Sequence, residues 1–279
     1  MSDALQFKVV DGIKCFSPDV AESYSDYPSC GFELTDDKSE TSFWVQSRNR
    51  LLKYLVHRHL SSKGKTKLLE IGCGTGGFIQ QIVGTEGLDI TGSEIYTQGL
   101  VYAKQKLPEV NFVQFDVTSG TMDETYDIIL AFDVIEHIAD DAAALSNISR
   151  MLREGATLIV TVPQYMFLWS SLDDIVRHKR RYSKAELLEK LRRHGFDIVY
   201  CTSYVFFLFP LMLISRLIDR RRDQSQTDEQ ALEKRVTFPK ALNWVLGLVM
   251  RMDETLIRLG ISLPFGGTLL VVASAASRK

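Results

Sequence analysis

The sequence predicts an α/β fold, a parallel sheet with helices on both faces, and three observations lead there. From Lys67 onward, apolar runs of strand length alternate with helical stretches. One of these runs, Lys67 to Phe78 (KLLEIGCGTGGF), passes straight into a glycine-dense turn and then an apolar helix start. Two further strands close on carboxylates, LDITGSE on Glu94 and NFVQFD on Asp116, at the sheet edge where folds of this class hold their ligands.

Taken in order, residues 1–41 read as an irregular lead rich in Asp, Ser and aromatic residues, either a loose terminus or a lid over the ligand. Thr41 to Leu60 places Phe43, Trp44, Leu51, Leu52, Leu55 and Val56 at helical spacing with basic residues opposite. A polar linker, SSKGKTK, leads into the alternating part. The pattern predicts strands at 67–71, 88–93, 111–115, 126–132 and 156–162, with helices at 76–83, 97–106 and 140–153. Pro163 stops the pattern, and a long loop follows, QYMFLWSSLDDIVRHKRRYS. Ser183 then opens a helix as the first member of an S-x-x-E capping box with Glu186, Gly195 closes it, and FDIVYCTSYV reads as the sixth strand.

In the glycine turn, Gly72, Gly74 and Gly76 permit positive φ and close approach to a ligand, and Gly77 allows tight helix packing. Gly72, Gly74 and Gly77 satisfy GxGxxG, so a dinucleotide-binding oxidoreductase is one reading. Glu70 argues against it, because a carboxylate at this strand end repels a pyrophosphate and attracts an ammonium group. Glu94 can accept from both hydroxyls of a ribose, a device that NAD sites share, and Asp116 can accept from an adenine amino group. An ammonium, a ribose and an adenine without phosphate describe S-adenosylmethionine. The fourth strand, YDIILAF, delivers Asp133, Glu136 and His137 to the same edge: Asp133 near the methionine arm, His137 toward the methyl group or its acceptor. Glu136 and His137 could equally cap the following helix. In the long loop, Tyr165, Phe167 and Trp169 can stack on a ring or sugar face, His178 can act as a base and the arginines can meet an anionic group; a solvated charge run over the site is the plainer reading.

Composition narrows the acceptor. With 279 residues there is ample length for a core, and a formal charge of -2 with pI ≈ 6.2 gives no basic field for a nucleic-acid substrate. Cys15, Cys30, Cys73 and Cys201 are scattered without a CxxC pair, which indicates neither a disulfide framework nor a zinc site; a metal is not expected. The first residues lack an apolar signal region, so the default expectation is cytoplasmic.

LLEIGCGTGGF, then Glu94, Asp116 and YDIILAFDVIEHIAD, resembles the class I S-adenosylmethionine-dependent methyltransferases of the small-molecule type, over Leu68 to about Val162 with a return at the last strand. FWVQSRNRLL (Phe43 to Leu52), RHKRRYS (Arg177 to Ser183) and LPFGGTLLVVA are similar to a bacterial subgroup associated with modification of glycans or lipid-linked sugars. The resemblance implies a Rossmann-like, seven-stranded sheet with an N-terminal helical lead and a helical insertion before the last strand. It implies that Arg48, or its neighbours Asn49 and Arg50, meets the cofactor's carboxylate, and that Val117 joins Asp116 in the cofactor pocket. The H-x-x-RYS pattern assigns His178, Arg181 and Tyr182 to the acceptor side as a group, beside Tyr165 and Trp169, and His137 and His178 are the candidate bases.

In that family the last, antiparallel strand follows the sixth within a few residues, whereas here TLLVVASA begins at Thr268. The expected division is 1–66 lead and helix, 67–204 cofactor-binding core, 205–267 helical insertion and 268–279 last strand. The insertion holds two apolar stretches, YVFFLFPLMLISRLI and NWVLGLVMRMDETLIRLG, around a charged connector that begins with Arg220, Arg221 and Arg222. The apolar run Tyr204–Ile214 is too short to span a bilayer, which takes about 20 residues. It suits either a roof over the acceptor pocket or peripheral contact with an anionic membrane, at the inner face if the acceptor is lipid-linked. The expected reaction is O-methylation of a small-molecule, sugar or lipid-linked glycan acceptor. Carbon methylation of a quinone-like ring is the near alternative; a catalytically silent cofactor-binding scaffold is a further one.

Overall fold

A computed structural model of the chain describes residues 7–23, 42–61, 64–219 and 238–276. Strands β1 (Lys8–Val10) and β2 (Ile13–Cys15) form a hairpin, followed by the short helix α1 (Pro18–Ser23) and by α2 (Phe43–Arg58). The alternating part runs β3 (Thr66–Ile71), α3 (Ile79–Ile82), β4 (Leu88–Glu94), α4 (Thr97–Lys106), β5 (Asn111–Gln114), β6 (Tyr126–Phe132), α5 (Asp141–Met151) and β7 (Leu152–Pro163). A 3-10 turn (Met166–Leu168) and α6 (Ser171–Ile175) occupy the loop after β7. Then come α7 (Lys184–Arg193), β8 (Phe196–Tyr204), α8 (Phe209–Asp219), α9 (Lys240–Arg258) and β9 (Thr268–Ala275).

These strands make one sheet in the order β1-β2-β5-β4-β3-β6-β7-β9-β8. From β2 to β7 each strand is parallel to its neighbour, and β9 lies antiparallel between β7 and β8. The sheet therefore has nine strands rather than seven. The extra pair corrects the reading of residues 1–41 as irregular: Asp11 and Gly12, at φ 50° and 75°, turn the hairpin, and Lys14 and Cys15 pair with Val113 and Gln114 on the outer edge of β5. The first helix of the alternating part is also shorter than the 76–83 predicted. Gly76 sits at φ 77°, outside the helical region, and its N–H donates to the Cys73 carbonyl in a turn that delays the helix until Ile79.

The apolar strands bury both faces, as parallel sheets require. On one face Leu68, Ile90, Phe112, Ile128 and Leu130 pack with Leu51, Leu52 and Val56 of α2 and Ile79 of α3. On the other, Leu69, Ile71, Val113, Ile129 and Ala131 pack with Ala144, Leu145 and Ile148 of α5 and Leu187 and Leu191 of α7. Successive residues of one strand go to opposite faces, which is the period-two alternation of a pleated sheet.

The insertion joins the core through α9, which lies along α2. Leu246, Met250 and Ile257 are buried in that contact. Glu254, also buried, accepts from Arg50 Nε (3.1 Å) and Nη2 (2.6 Å) and from the Ser47 hydroxyl, and Ser47 in turn meets the Tyr204 hydroxyl. Asp253 accepts from the Phe206 and Phe207 N–H groups at 2.6 and 3.3 Å, fixing the turn after β8. The opposite faces of α8 and α9 stay in solvent: Leu211 and Ile214 are 53% and 55% exposed, Trp244 66% and Met252 49%. No described helix is long and apolar enough to cross a membrane. Arg220, Arg221 and Arg222 lie outside the described residues, as does Cys30.

Candidate active site

The carboxyl ends of β3, β4 and β6 and the loop after β5 open on a cleft of about 360 Å³, with α2 as its far wall. Arg48, Glu70, Gly72, Gly74, Glu94, Asp116, Val117, Asp133 and His137 all line it. They come from five places in the sequence. The parallel register brings them to one edge, since Glu70 stands opposite both Gly92 on β4 and Leu130 on β6. Gly76 is the exception, and its expected place in the cofactor pocket is corrected: it does not line the cleft, and a Cβ there would meet Leu107 and Ala103 at 3.3 and 3.4 Å.

Gly72 has no room for a side chain, because at φ 69° an added Cβ would lie 2.5 Å from Val134 Cγ2. The turn is held by Glu94. One of its carboxylate oxygens accepts from the Gly74 N–H at 3.1 Å, the other from Ile95 at 2.7 Å and Tyr96 at 3.2 Å. Burial pushes the Glu94 carboxyl up, and the N–H groups of Tyr96, Gly74 and Ile95 oppose that shift. Glu70, 4% exposed, is pushed up to about 8 by burial, with Arg48 pulling it down and Glu94 raising it further. Its Oε2 has no hydrogen-bond partner among the described residues. A buried, unpartnered carboxylate oxygen on the cleft wall suits a cationic donor such as an ammonium group, and no pyrophosphate would be stable beside it.

Glu70 makes the apo protein pH-sensitive. Its folded pKa of about 8 lies above the ordinary 4.5, so between those values the folded state holds a proton that the unfolded state has lost. Stability therefore falls as pH rises through that window, by up to about 1.4 kcal/mol per pH unit for one proton. Glu70→Gln should make that slope shallower in denaturant titrations from pH 5 to 8, with Glu94 and Glu136, also raised by burial, left to supply the remainder; an unchanged slope would remove Glu70 from the titrating groups.

On the other side of the cleft, Asp133 sits at φ 54°, its N–H donating to the Thr161 carbonyl at 2.9 Å and its carboxylate paired with Arg48 at 2.8 Å. Asp116 turns one oxygen onto the Thr118 N–H and hydroxyl, at 2.8 and 2.7 Å, an Asx turn that leaves its second oxygen for a ligand. Thr118, Ile95 and Tyr96 also line the cleft and were not singled out from the sequence; the D-x-T spacing was the available signal for the first of them.

The long loop after β7 is tied to the end of β6. Lys179 donates its N–H to the Glu136 carbonyl at 2.9 Å, and His178 donates its own to the Asp173 carbonyl at 2.8 Å. His178 Nδ1 lies 2.8 Å from Asp173 Oδ1, and its ring meets His137 edge to face at 4.7 Å between centroids. His137 lines the cleft, with His178 behind it. Glu136, wholly buried, lies with Oε1 3.8 Å from His178 Nε2, and burial, reinforced by Asp133, pushes its carboxyl well above the usual range.

Two expected acceptor contacts are corrected. Arg181 is 5% exposed and spends its guanidinium on Asp173, at 2.7 and 3.0 Å, and on the Gln164 carbonyl. Tyr182 is fully buried and donates its hydroxyl to Asp141 at 2.7 Å. The H-x-x-R-Y spacing thus builds the loop from within; neither side chain faces the cleft. Tyr165 and Trp169 are half-buried, and they too are not among the residues that line the cleft. Tyr165 stacks on Phe167 at 5.0 Å and Trp169 Nε1 donates to Asp174 at 2.9 Å.

Comparison with known proteins assigns the family and the fold. Residues 42–200 match the family model of the methyltransferase domain. The chain belongs to the class I S-adenosylmethionine-dependent methyltransferases. A probable S-adenosylmethionine-dependent methyltransferase of Mycolicibacterium smegmatis is 25% identical over 174 residues, 61% of this chain and 66% of that one. A ubiquinone biosynthesis O-methyltransferase of Rickettsia canadensis is 24% identical over 173 residues, 53% of this chain and 70% of that one. The chain thus spans about two thirds of the length of these two methyltransferases. Among solved structures, the phosphoethanolamine N-methyltransferase 2 of Haemonchus contortus with S-adenosyl-L-methionine shares the fold at TM-score 0.53 and 18% identity, over 82% of this chain and 53% of that one. The [4+2]-cyclase SpnF does so at TM-score 0.56 and 20% identity, over 84% and 83%. This methyltransferase therefore shares its architecture with a protein named for another reaction, and fold alone does not choose the acceptor.

Proposed function

We propose that this methyltransferase methylates an oxygen of a sugar or lipid-linked glycan and meets that acceptor at a membrane surface. The observation that carries the choice of oxygen is the His137–His178–Asp173 chain at the cleft edge. S-adenosylmethionine, when bound, supplies a methyl group already activated on a sulfonium centre. The residues present fit it: Glu70 for the ammonium, Arg48 for the carboxylate, Glu94 for the ribose, and Asp116 with Val117 for the adenine. What remains is alignment and removal of the acceptor's proton. Asp173 holds the Nδ1 proton of His178, which leaves Nε2 as the basic nitrogen behind His137. The relatives named as O-methyltransferases support oxygen over the carbon of a quinone-like ring.

The exposed apolar faces of α8 and α9 support the membrane. Both helices adjoin the site: Arg216 of α8 donates to Ser170, beside Asp173, and α9 packs on α2, whose Arg48 lines the cleft. In the sequence the apolar stretch of α8 runs directly into Arg220, Arg221 and Arg222, a pattern that suits an anionic lipid surface. Incubation of a lipid and glycan extract with isotope-labelled methyl donor should place the label in the lipid-linked fraction, and His137→Ala and His178→Ala should lose turnover while binding S-adenosylhomocysteine within about twofold of the wild type. Label confined to carbon, or to water-soluble acceptors, would overturn the acceptor. Wild type should float with anionic vesicles in low salt, and changing Arg220, Arg221 and Arg222 together to Glu should abolish that; a chain that stays soluble with every lipid composition would remove the membrane.

A further inference from the structure

We propose that Glu136, His137 and His178 hold a divalent transition-metal ion of the zinc type at the acceptor side of the cleft. One ligand atom from each lies within 4.8 Å of the other two. Around a metal with bonds of about 2.0–2.1 Å, tetrahedral ligand atoms stand about 3.3 Å apart. The 3.8 Å between Glu136 Oε1 and His178 Nε2 is therefore closed by about 0.5 Å of movement, well within side-chain adjustment.

Two independent observations point to a cation. The first is Glu136: the residue is fully buried, and neither carboxylate oxygen has a hydrogen-bond partner among the described residues. Buried polar atoms are nearly always satisfied, and an orphaned carboxylate beside two imidazoles lacks the partner its position calls for. Among the described residues the nearby arginines are engaged elsewhere, Arg48 with Asp133, Arg181 with Asp173 and Arg180 with Asp141. The second is Asp173. Metal-binding histidines characteristically give their other ring nitrogen to a carboxylate, which fixes the tautomer and aims the free nitrogen at the metal. Asp173 Oδ1 accepts from His178 Nδ1 at 2.8 Å and from Arg181 Nε at 2.7 Å, while the Ser170 N–H holds the other oxygen, Oδ2. Two His and one carboxylate leave a coordination position open, on the side where His137 lines the cleft. The role of the ion rests on the methyl-transfer reading and alters one step of it: a hydroxyl bound there becomes more acidic and gives its proton to solvent water, so Nε2 of His178, the basic nitrogen of the metal-free protein, serves as a ligand once the ion is held.

The tag-free, chelator-stripped and desalted full chain would be titrated with Co2+ and with Zn2+ by calorimetry, following the Co2+ visible absorption, with Mg2+ in a parallel arm. Binding of a single equivalent with a low-coordinate Co2+ band is expected. Glu136→Gln and His137→Asn should each weaken it by more than 100-fold, and Asp173→Asn, acting through His178, by about 10–100-fold. Affinity for S-adenosylhomocysteine reports folding in each variant. No stoichiometric binding by the wild type, binding that a folded Glu136→Gln or His137→Asn variant retains within twofold, or a preference for Mg2+ would overturn the site. Because the readout is metal binding, failure here would leave methyl transfer intact, and an enzyme inactive on every acceptor could still bind the ion.

Discussion

Asp173→Ala is expected to destabilise the fold by about 3–5 kcal/mol, the cost of removing one partner from a buried ion pair. Asp173 is wholly buried, and both its oxygens are committed, to Arg181, His178 and the Ser170 backbone and hydroxyl. Burial alone would raise its carboxyl, but the hydrogen bonds from His178 and Arg181 outweigh that and hold it well below the usual range. Without it, the Arg181 guanidinium stays in the core with no counter-charge. Asp173 also completes a capping box with Ser170 at the start of α6, so the loss spreads through the loop after β7. Urea unfolding of the two chains measures the difference. A cost below about 1 kcal/mol would mean that Arg181 reaches water by an easy rearrangement, and the loop would not be pinned as described.

Glu94→Ala should weaken S-adenosylhomocysteine binding by about 1–3 kcal/mol, or roughly 5- to 150-fold. Two effects combine. The carboxylate is the acceptor placed for the ribose, and it also holds the glycine turn through the Gly74 N–H. Glu94→Gln separates them, since an amide oxygen can accept from only part of the set at Gly74, Ile95 and Tyr96. Calorimetry on both variants gives the comparison; unchanged affinity in the alanine variant would remove Glu94 from the cofactor's site.

The parallel core and its ligand edge were legible because their signals are local. Each buried strand is a continuous apolar run, and each carboxylate follows directly on the end of one. The hairpin escaped although V-V-D-G-I carries a short-range hairpin signal, an Asp-Gly pair between apolar residues, because its strands are only three residues long. Arg181 and Tyr182 were misplaced for a different reason. Sequence shows a charge and a hydroxyl, but whether they face a cleft or a buried carboxylate depends on Asp173 and Asp141, eight and 41 positions away. The pairing of Glu254 with Ser47 and Arg50 crosses about 200 positions, and no periodicity in either helix encodes it.

The placement of β9 bears on how the chain is made. It lies between β7 and β8, pairing with both along nearly its whole length, yet residues 205–267 separate it from β8. As the chain leaves the ribosome, β3 to β7 can assemble by neighbouring crossovers, whereas β8 has no strand to bind until the insertion has been synthesised. Through that interval the apolar helices of the insertion and the open edges of β7 and β8 coexist, the surfaces that chaperones and membranes capture. A nascent chain stalled before Thr268 should then be sensitive to protease in β8 while β3 to β7 resist.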